Sequence, residues 1–313
     1  MSARWVVFAY HTFGARALEA LLARGERVVA VVTHADDPAE GDWFESVAEV
    51  ARAHRLPLFT PPSPNAPDLV EALRPLTPDL LLSVWYRRLL GPKLLALPRI
   101  AALNLHGSLL PKYRGRAPVN WALVNGESLT GVTLHHMTLE ADAGDIVAQA
   151  AVEIEAEDTA ATLYRRLVKI GVDLLLDVYP AVVAGTAARR PQDHAQATVF
   201  PRRRPEDGRV AWTWPARRIA DMIRAVTHPY PGAFIGDGDQ RLHLWAGSVV
   251  SDVCAAAPGT VLEIRPREGV AVATGAEVLL LQRVQAAGAT EEPADVWAQH
   301  DRLQPGARLT EAP

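Results

Sequence analysis

Four short runs of mainly apolar residues lie within the first 106 positions, and segments with helical spacing lie between them. The runs are RWVVFAY, RVVAVVTH, DLLLSVWY and AALNLH. Runs without apolar–polar alternation are typical of strands that are buried on both faces of a parallel sheet. Strands that alternate with helices in this way predict an α/β fold with a doubly wound, parallel sheet.

The pattern changes in the second part of the chain. One long amphipathic helix is predicted from Leu163 to Val183, with a break near Pro180, and a linker is predicted from Gly185 to Arg204. Beyond it, PARRIADMIRAV has helical spacing, and the short strands RLHLWAGSVV, GTVLEI and GVAVAT follow at the spacing of a small β-barrel. We therefore predict two domains, residues 1–200 and residues 201–313, the second being smaller, mostly β and OB-like.

Charge and cysteine content restrict the environment and the partners. The 32 Lys and Arg residues against 36 Asp and Glu residues give a net charge of −4, which does not attract nucleic acid or an anionic membrane. The single cysteine, Cys254, cannot form an internal disulfide, as is typical of the reducing cytoplasm. No run approaches the roughly 18 apolar residues of a membrane helix. We expect a cytoplasmic protein with no nucleic-acid partner and no membrane insertion.

The segment NLHGSLLPKYRGRAPV carries the first candidate site residues. Asn104 and His106 are two residues apart on a predicted strand, so their side chains share one face. They lie at the carboxyl end of a parallel strand, where open α/β sheets bind ligands, and Gly107 is expected to let the chain turn sharply there. An amide beside an imidazole suits acyl transfer to an amine, since the amide donates to a developing oxyanion and the imidazole accepts a proton.

The segment GVTLHHMTLEADAGDIV carries the second group of candidates. A strand is predicted from Gly131 to Met137, followed by a tight loop that contains Asp142. This carboxylate can orient an imidazole and stabilise its protonated form, or it can cap a helix that begins in AGDIV. His135 and His136 are adjacent on a strand and face opposite ways, so they make a poor chelate, and we expect no metal.

Structural explanations compete with the catalytic ones. Asn104 and His106 could simply satisfy the backbone at a strand end. Ser108 suggests a hydrolase nucleophile, but HGSLL lacks the G-x-S-x-G elbow. The basic runs at 202–204 and 217–218 fit either a solvated surface or a phosphate site.

The stretches NLHGSLLPKYRGRAPVNWALVNGE and TGVTLHHMTLEADAGDIVAQ together resemble the formyltransferases that use 10-formyltetrahydrofolate. The shorter segments VVFAYH, DPAE, WYRRLL, RAVTHPYPGAF and HDRLQPGARL extend the resemblance over most of the chain. The resemblance implies an N-terminal Rossmann-like catalytic domain and 10-formyltetrahydrofolate as co-substrate.

The same resemblance implies roles for individual residues. His106 is expected to be the catalytic acid/base, Asn104 to stabilise the charged oxygen formed during transfer, and Asp142 to favour the protonated form of His106. Arg88 is a departure, because the family pattern predicts a His at this position. The residues expected to hold the folate are Arg88, Leu89, Leu90, Arg116, Thr138, Leu139, Glu140, Ala141 and Asp142.

Within the family, the match favours the branch that formylates the 4-amino group of nucleotide-linked sugars. The expected acceptor is UDP-4-amino-4-deoxy-L-arabinose, which belongs to lipid A modification and polymyxin resistance. A dTDP-linked 4-amino sugar and methionyl-tRNA are the alternatives. The acidic stretch HADDPAEGDWFE disfavours the tRNA, because enzymes acting on it carry a basic loop there.

The resemblance does not determine the partners of the chain. A relative in the sugar branch carries a decarboxylating dehydrogenase domain that this chain, ending at Pro313, lacks. The chain is therefore expected to be a standalone enzyme or one domain of a longer one. A homo-oligomer and a separate dehydrogenase partner both remain open.

Overall fold

The chain forms two compact units in a computed structural model that describes residues 2–37, 43–251, 253 and 255–309. The first unit contains the residues up to Pro118 together with Leu129–Glu153 and Tyr164–Pro201, and the remainder belongs to the second. The second unit thus includes two short segments from earlier in the chain. The division at residue 200 stays a prediction. Cys254 and residues 38–42, which include part of the acidic stretch, lie outside the described residues.

The first unit is built on a seven-stranded sheet, and this confirms the predicted α/β class. The strands are β1 (Arg4–Ala9), β2 (Arg27–Val32), β3 (Leu58–Phe59), β4 (Leu80–Val84), β5 (Ala101–His106), β6 (Arg114–Gly115), β7 (Leu129–His136), β8 (Ile146–Glu153) and β9 (Val199–Phe200). The sheet order is β3-β2-β1-β4-β5-β7-β8, and β6 pairs separately with β9. The first five strands are parallel, whereas β7 runs antiparallel to both β5 and β8.

The long helix predicted from Leu163 and the helix predicted in PARRIADMIRAV are both present, with changes at their ends. The α-helices are α1 (His11–Ala23), α2 (Val47–Ala53), α3 (Pro67–Leu73), α4 (Pro92–Leu95), α5 (Pro118–Val124), α6 (Ala160–Val183), α7 (Ala216–Val226) and α8 (Ala294–His300). The predicted break near Pro180 is wrong, because α6 continues through Pro180 to Val183. A proline so close to the helix end removes one hydrogen bond, while Leu175 and Val182, on either side of it, are buried.

Helix α2 begins later than its apolar pattern suggests. The Ser46 side chain accepts a hydrogen bond from the Glu49 N–H at 3.2 Å, so Ser46 is the N-cap and the helix begins at Val47. A serine hydroxyl stabilises a helix start by satisfying one of its free N–H groups. Phe44, where helical spacing resumes in the sequence, therefore precedes the helix.

The apolar side chains of the parallel strands form the core of the first unit. Val6 and Phe8 on β1 and Leu81 on β4 are at most 1% exposed, as expected for central strands covered on both faces. On β5, Leu103 and Leu105 are buried in the same way. This fixes the opposite direction for the side chains of Asn104, which lies between them, and His106, which follows Leu105.

The second unit contains an antiparallel sheet, which confirms a mostly β region after the α/β sheet. The strands are β10 (Ala233–Ile235), β11 (Leu242–Ser251), β12 (Val261–Arg265), β13 (Gly269–Ala273), β14 (Val278–Ala286) and β15 (Glu292–Pro293). Their order is β10-β11-β14-β13-β12, with β15 beside β14. Among the described helices, none is long and apolar enough to cross a membrane.

Candidate active site

Strands β5 and β7 bring polar side chains to one face of the first unit's sheet. Asn104 pairs with His135 and His106 pairs with Thr133 in their antiparallel register. Because alternate residues of a strand share a face, the side chains of Asn104, His106, Thr133 and His135 lie together. Leu105, between the first two, is 1% exposed and points into the core.

Asp142 reaches this group from the loop that follows β7. Its Oδ1 lies 3.2 Å from Asn104 Nδ2 and 3.5 Å from His106 Nδ1, and its Oδ2 accepts a hydrogen bond from the Gly115 N–H at 2.8 Å. Asp142 thus contacts both of the other residues proposed as catalytic. The alternative that Asp142 caps a helix is wrong, because the residues from Ile146 onward form a strand.

The Asp142 carboxylate is held in its charged form. Burial opposes ionisation, but the interactions with His106, His135 and the Gly115 N–H outweigh it and keep the pKa of Asp142 well below its usual value. The side chain is only 13% exposed, so solvent screens these interactions weakly. A fixed negative charge therefore lies beside the candidate acid/base.

The His106 ring is oriented by the backbone. Its Nε2 lies 2.8 Å from the Tyr113 carbonyl oxygen, and a carbonyl oxygen can only accept. Nε2 therefore carries the hydrogen in the neutral ring, and Nδ1 is the basic nitrogen that faces Asp142. At 3.5 Å the contact to Asp142 is longer than a hydrogen bond, and a proton on Nδ1 would turn it into an ion pair.

The two adjacent histidines of β7 have different surroundings, as their positions predict. His135 lies against Asn104 and Asp142, whereas His136 Nε2 is 3.3 Å from the Ala188 carbonyl oxygen. In the part of the chain that the structure describes, no group of three or more His, Cys, Asp or Glu side chains could hold a metal ion.

The first segment proposed for folate binding is a braced loop. The Asn65 side chain donates to the Leu89 carbonyl at 3.0 Å and accepts from the Gly91 N–H at 2.6 Å. The Arg88 guanidinium donates to the Pro62 carbonyl, so the side chain that departs from the family pattern anchors its own loop. Arg116 Nη1 donates to the Arg87 carbonyl at 3.0 Å, which connects this loop to the segment that follows His106.

Both segments proposed for folate binding expose a leucine. Leu89 is 62% exposed and Leu139 is 63% exposed, while Leu90 is buried in the core. Small-molecule sites are lined mostly by apolar side chains, and an exposed leucine can supply part of such a lining. In the second segment, Thr138 Oγ1 donates to the Glu140 carbonyl at 2.9 Å, which closes the turn that leads through Ala141 to Asp142.

Gln192 supports the Asp142 loop through hydrogen bonds. The sequence did not identify it as a site residue, because it lies in the predicted linker. Its Nε2 donates to the carbonyls of Asp142 and Gly144 at 2.8 and 2.7 Å. Its Oε1 accepts two hydrogen bonds from Arg114, at 2.7 and 3.1 Å. Both side chains are buried. Nothing in the local pattern identifies Gln192, because its partners are 48 and 50 residues away.

Two other features of the NLHGSLLP segment have structural explanations. Ser108 Oγ donates to the Lys112 carbonyl at 2.8 Å, which suits a hydroxyl that closes a turn. A Cβ on Gly107 would approach the Trp85 ring to 2.7 Å. The glycine therefore makes room for the indole next to His106.

The basic runs have partners within the second unit. Arg203 lies 4.6 Å from the Trp121 ring centre, and Arg218 lies 3.7 Å from that of Trp214. Arg217 Nε is 3.4 Å from the Glu277 carboxylate. These contacts account for three of the five arginines without a bound phosphate.

We predict that Gln192→Leu loosens the Asp142 loop. Leucine removes the donor to the Asp142 and Gly144 carbonyls and the Gln192 acceptor of two Arg114 N–H groups, and each lost partner costs about 1–3 kcal/mol. Amide hydrogen exchange at residues 140–145 should become at least tenfold faster, and the free energy of unfolding should fall. Gln196→Leu, on the exposed part of the same segment, is the control. It should change the free energy of unfolding by less than about 0.5 kcal/mol. Equal exchange rates in both variants would contradict the brace.

We predict a pH-dependent stability difference between the wild type and Asp142→Asn. The pKa of Asp142 is lowered in the folded state from its usual 3.8, so its charge stabilises the fold above that value. The contribution is lost as the pH falls through the lowered pKa. Asp142→Asn should therefore cost on the order of 2 kcal/mol at pH 7, and urea denaturation should show this difference shrinking below pH 4. A constant difference from pH 7 to pH 2.5 would contradict a stabilising charge.

Comparison with protein families gives two matches. Residues 3–179, more than half of the chain, match the formyl transferase family, and residues 203–302 match the formyl transferase C-terminal domain.

Solved structures share the fold at low identity. An N-formyltransferase from Helicobacter canadensis, in complex with folinic acid and dTDP-3-aminofucose, aligns with a TM-score of 0.71 at 19% identity, over 90% of this chain and 99% of that one. Methionyl-tRNA formyltransferase from Clostridium thermocellum aligns with a TM-score of 0.57 at 18% identity, over 80% of this chain and 94% of that one.

HypX from Aquifex aeolicus, in complex with tetrahydrofolic acid, aligns with a TM-score of 0.64 at 20% identity, over 95% of this chain and 47% of that one. The chain thus spans about half the length of the HypX proteins that it matches. Likenesses at this identity establish the fold, and the family assignment comes from the match over residues 3–179 and 203–302. On that match, the chain belongs to the formyl transferase family.

Proposed function

We propose that the protein transfers a formyl group from 10-formyltetrahydrofolate to the 4-amino group of a nucleotide-linked sugar. The observation that carries the proposal is the contact of Asn104, His106 and Asp142 on one face of the sheet. These residues supply a hydrogen-bond donor, a proton acceptor and a fixed negative charge, which formylation of an amine requires. The amine attacks the formyl carbon carried on N10 of the folate, the bond between N10 and that carbon then breaks, and tetrahydrofolate leaves with the proton that His106 returns to N10.

His106 and Asp142 act as one unit in this proposal. Nδ1 of His106 accepts the proton that the attacking amine loses, and Asp142 Oδ1, at 3.5 Å, stabilises the resulting imidazolium. The Tyr113 carbonyl keeps the ring in place through Nε2. Because Asp142 stays ionised through its own contacts, it supplies charge without competing for the proton.

Asn104 donates to the formyl oxygen as negative charge develops there. Its Nδ2 lies within hydrogen-bond distance of Asp142 Oδ1, at 3.2 Å. A protonated His106 is the stronger donor to the same oxygen. Transfer of the proton to His106 weakens the hold of Asp142 Oδ1 on Asn104, and in this proposal one Asn104 N–H then turns to the formyl oxygen.

The folate is assigned to the segments that hold Arg88–Leu90, Arg116 and Thr138–Asp142. The exposed Leu89 and Leu139 fit the apolar faces of a pterin ring, and the braced loop around Asn65 presents one of them in a fixed place. The Helicobacter canadensis relative was crystallised with folinic acid, and the HypX protein with tetrahydrofolic acid.

For the acceptor, we propose UDP-4-amino-4-deoxy-L-arabinose, in the manner of the formyltransferase domain of the bifunctional polymyxin-resistance enzyme. The support is the sequence resemblance in RGRAPVNWALVNGE. Because a relative was crystallised with dTDP-3-aminofucose, a dTDP-linked sugar is the alternative acceptor. The net charge of −4 disfavours an RNA acceptor. A role in lipid A modification, a cytoplasmic location and a dehydrogenase partner remain part of the proposal.

The acceptor is tested by measuring formyl transfer to three candidate acceptors. The purified protein is incubated with 10-formyltetrahydrofolate and, in separate reactions, with UDP-4-amino-4-deoxy-L-arabinose, a dTDP-linked 4-amino sugar and charged initiator methionyl-tRNA. We expect a mass gain of one formyl group on the UDP sugar, with kcat/KM at least tenfold above that for the dTDP sugar. Formylation of the tRNA alone would replace the proposed acceptor, and no transfer to any amine would overturn the function.

We predict that Asn104→Ala lowers kcat by about 10²–10³-fold, because the loss of one oxyanion donor costs about 3–4 kcal/mol. The variant should retain folate binding within about fivefold by calorimetry and should unfold near the wild-type temperature. Ser108→Ala is the control and should keep turnover within about fivefold, since Ser108 donates only to backbone carbonyls. Near-normal turnover by Asn104→Ala would contradict the role of the amide.

A further inference from the structure

A second histidine lies within the candidate site and has no role so far. His135 is 2% exposed, and its Nε2 lies 3.1 Å from Asn104 Nδ2 and 3.5 Å from Asp142 Oδ1. Its Nδ1 lies 2.8 Å from the His136 carbonyl oxygen. Both ring nitrogens therefore have a defined neighbour.

The contacts determine the hydrogen positions on this ring. The His136 carbonyl can only accept, so His135 Nδ1 carries a hydrogen, and in the neutral ring Nε2 has a free lone pair. An amide nitrogen can only donate, so Asn104 Nδ2 donates to His135 Nε2. The neutral form of His135 with hydrogen on Nδ1 is the form that satisfies both contacts.

The same contacts determine which way the Asn104 amide faces. Its NH2 group lies between two acceptors, His135 Nε2 at 3.1 Å and Asp142 Oδ1 at 3.2 Å. With the amide turned over, its carbonyl oxygen would face the Asp142 carboxylate and the His135 lone pair, and both would repel it. Asp142 alone would restrain one N–H, and His135 restrains the other.

We propose that His135 is a positioning residue: it accepts one Asn104 N–H and so holds the amide with the other N–H, the one given up by Asp142, towards the transferred formyl group. The inference rests on the proposed function, because Asn104 is the group that acts on the formyl oxygen. When the proton on His106 draws Asp142 Oδ1 away from Asn104, the hydrogen bond to His135 Nε2 is the contact that keeps the amide from rotating. His135 itself touches neither substrate and transfers no proton.

The pairing of β5 with β7 explains why residue 135 is well placed to orient the Asn104 amide. His135 and Asn104 are directly paired residues of two hydrogen-bonded strands, so their separation is set by the sheet. Thr133, two residues earlier on the same face, fixes the turn after His106 in a similar way, since its Oγ1 donates to the Ser108 carbonyl at 2.7 Å. One face of β7 thus supports the reacting residues of β5.

The test uses two variants that differ by one methylene group. In His135→Gln the side-chain oxygen can reach the position of Nε2 and accept from Asn104, whereas in His135→Asn it falls short. We expect His135→Asn to lower kcat about 10–100-fold, since a small misplacement of a reacting group costs up to about 10²-fold. KM for both substrates should change by less than about threefold, and His135→Gln should recover kcat to within about fivefold of the wild type.

A double-mutant cycle separates positioning from a general structural effect. If His135 acts through Asn104, then Asn104→Ala with His135→Asn should be no slower than Asn104→Ala alone, within about twofold. Multiplied losses would overturn the proposal. His136→Asn, on the opposite face of the same strand, is the matched control and should leave kcat within about threefold.

A measurement on the free protein keeps the inference independent of activity. The Asn104 side-chain amide is identified in a ¹H–¹⁵N spectrum as the NH2 pair that disappears in Asn104→Ala. Its two proton shifts should be separated in the wild type and in His135→Gln and should move together in His135→Asn. Unchanged shifts in all three proteins would overturn the proposal. If the wild type formylates no acceptor while the shifts behave as expected, the proposed function fails and the positioning contact stands.

Discussion

The charged carboxylate of Asp142, held almost out of contact with water, is the interaction on which the candidate site depends. A buried charge is costly unless it is paired and hydrogen-bonded. Here the Gly115 N–H, the Asn104 amide and two histidine rings surround it. Each of these partners is consequently held close to the others. Removal of the charge would leave the Gly115 N–H and the Asn104 amide without a common acceptor.

The sheet fixes the positions of most of these side chains. Two candidate residues lie on β5 and a third on β7, whose pairing is set by backbone hydrogen bonds. The loop that carries Asp142 has no such support of its own, and Gln192 supplies it from a segment 50 residues further along the chain. Rigid strands position the reacting groups, and buried polar side chains fix the loop between them.

Much of the fold follows from local patterns. The continuous apolar runs predicted the parallel strands, because strands covered on both faces need apolar residues at every position. The placement of Asn104 and His106 on one face followed from the period of two. The helix break near Pro180 was predicted wrongly, since a single proline near a helix end is outweighed by the burial of its neighbours. Gln192 was assigned to a linker, because a lone glutamine among polar residues carries no periodic pattern.

The sequence by itself determined the α/β class, the mostly β region after it, the family resemblance and the residue types of the site, because these depend on spacing along the chain. Only the tertiary structure decided that Asp142 reaches Asn104 and His106, which nitrogen of His106 faces it, and that His135 lies beside Asn104. Those contacts join residues 31 to 38 positions apart. They depend on the antiparallel register of β7 and on the path of the following loop, and no local pattern specifies either one.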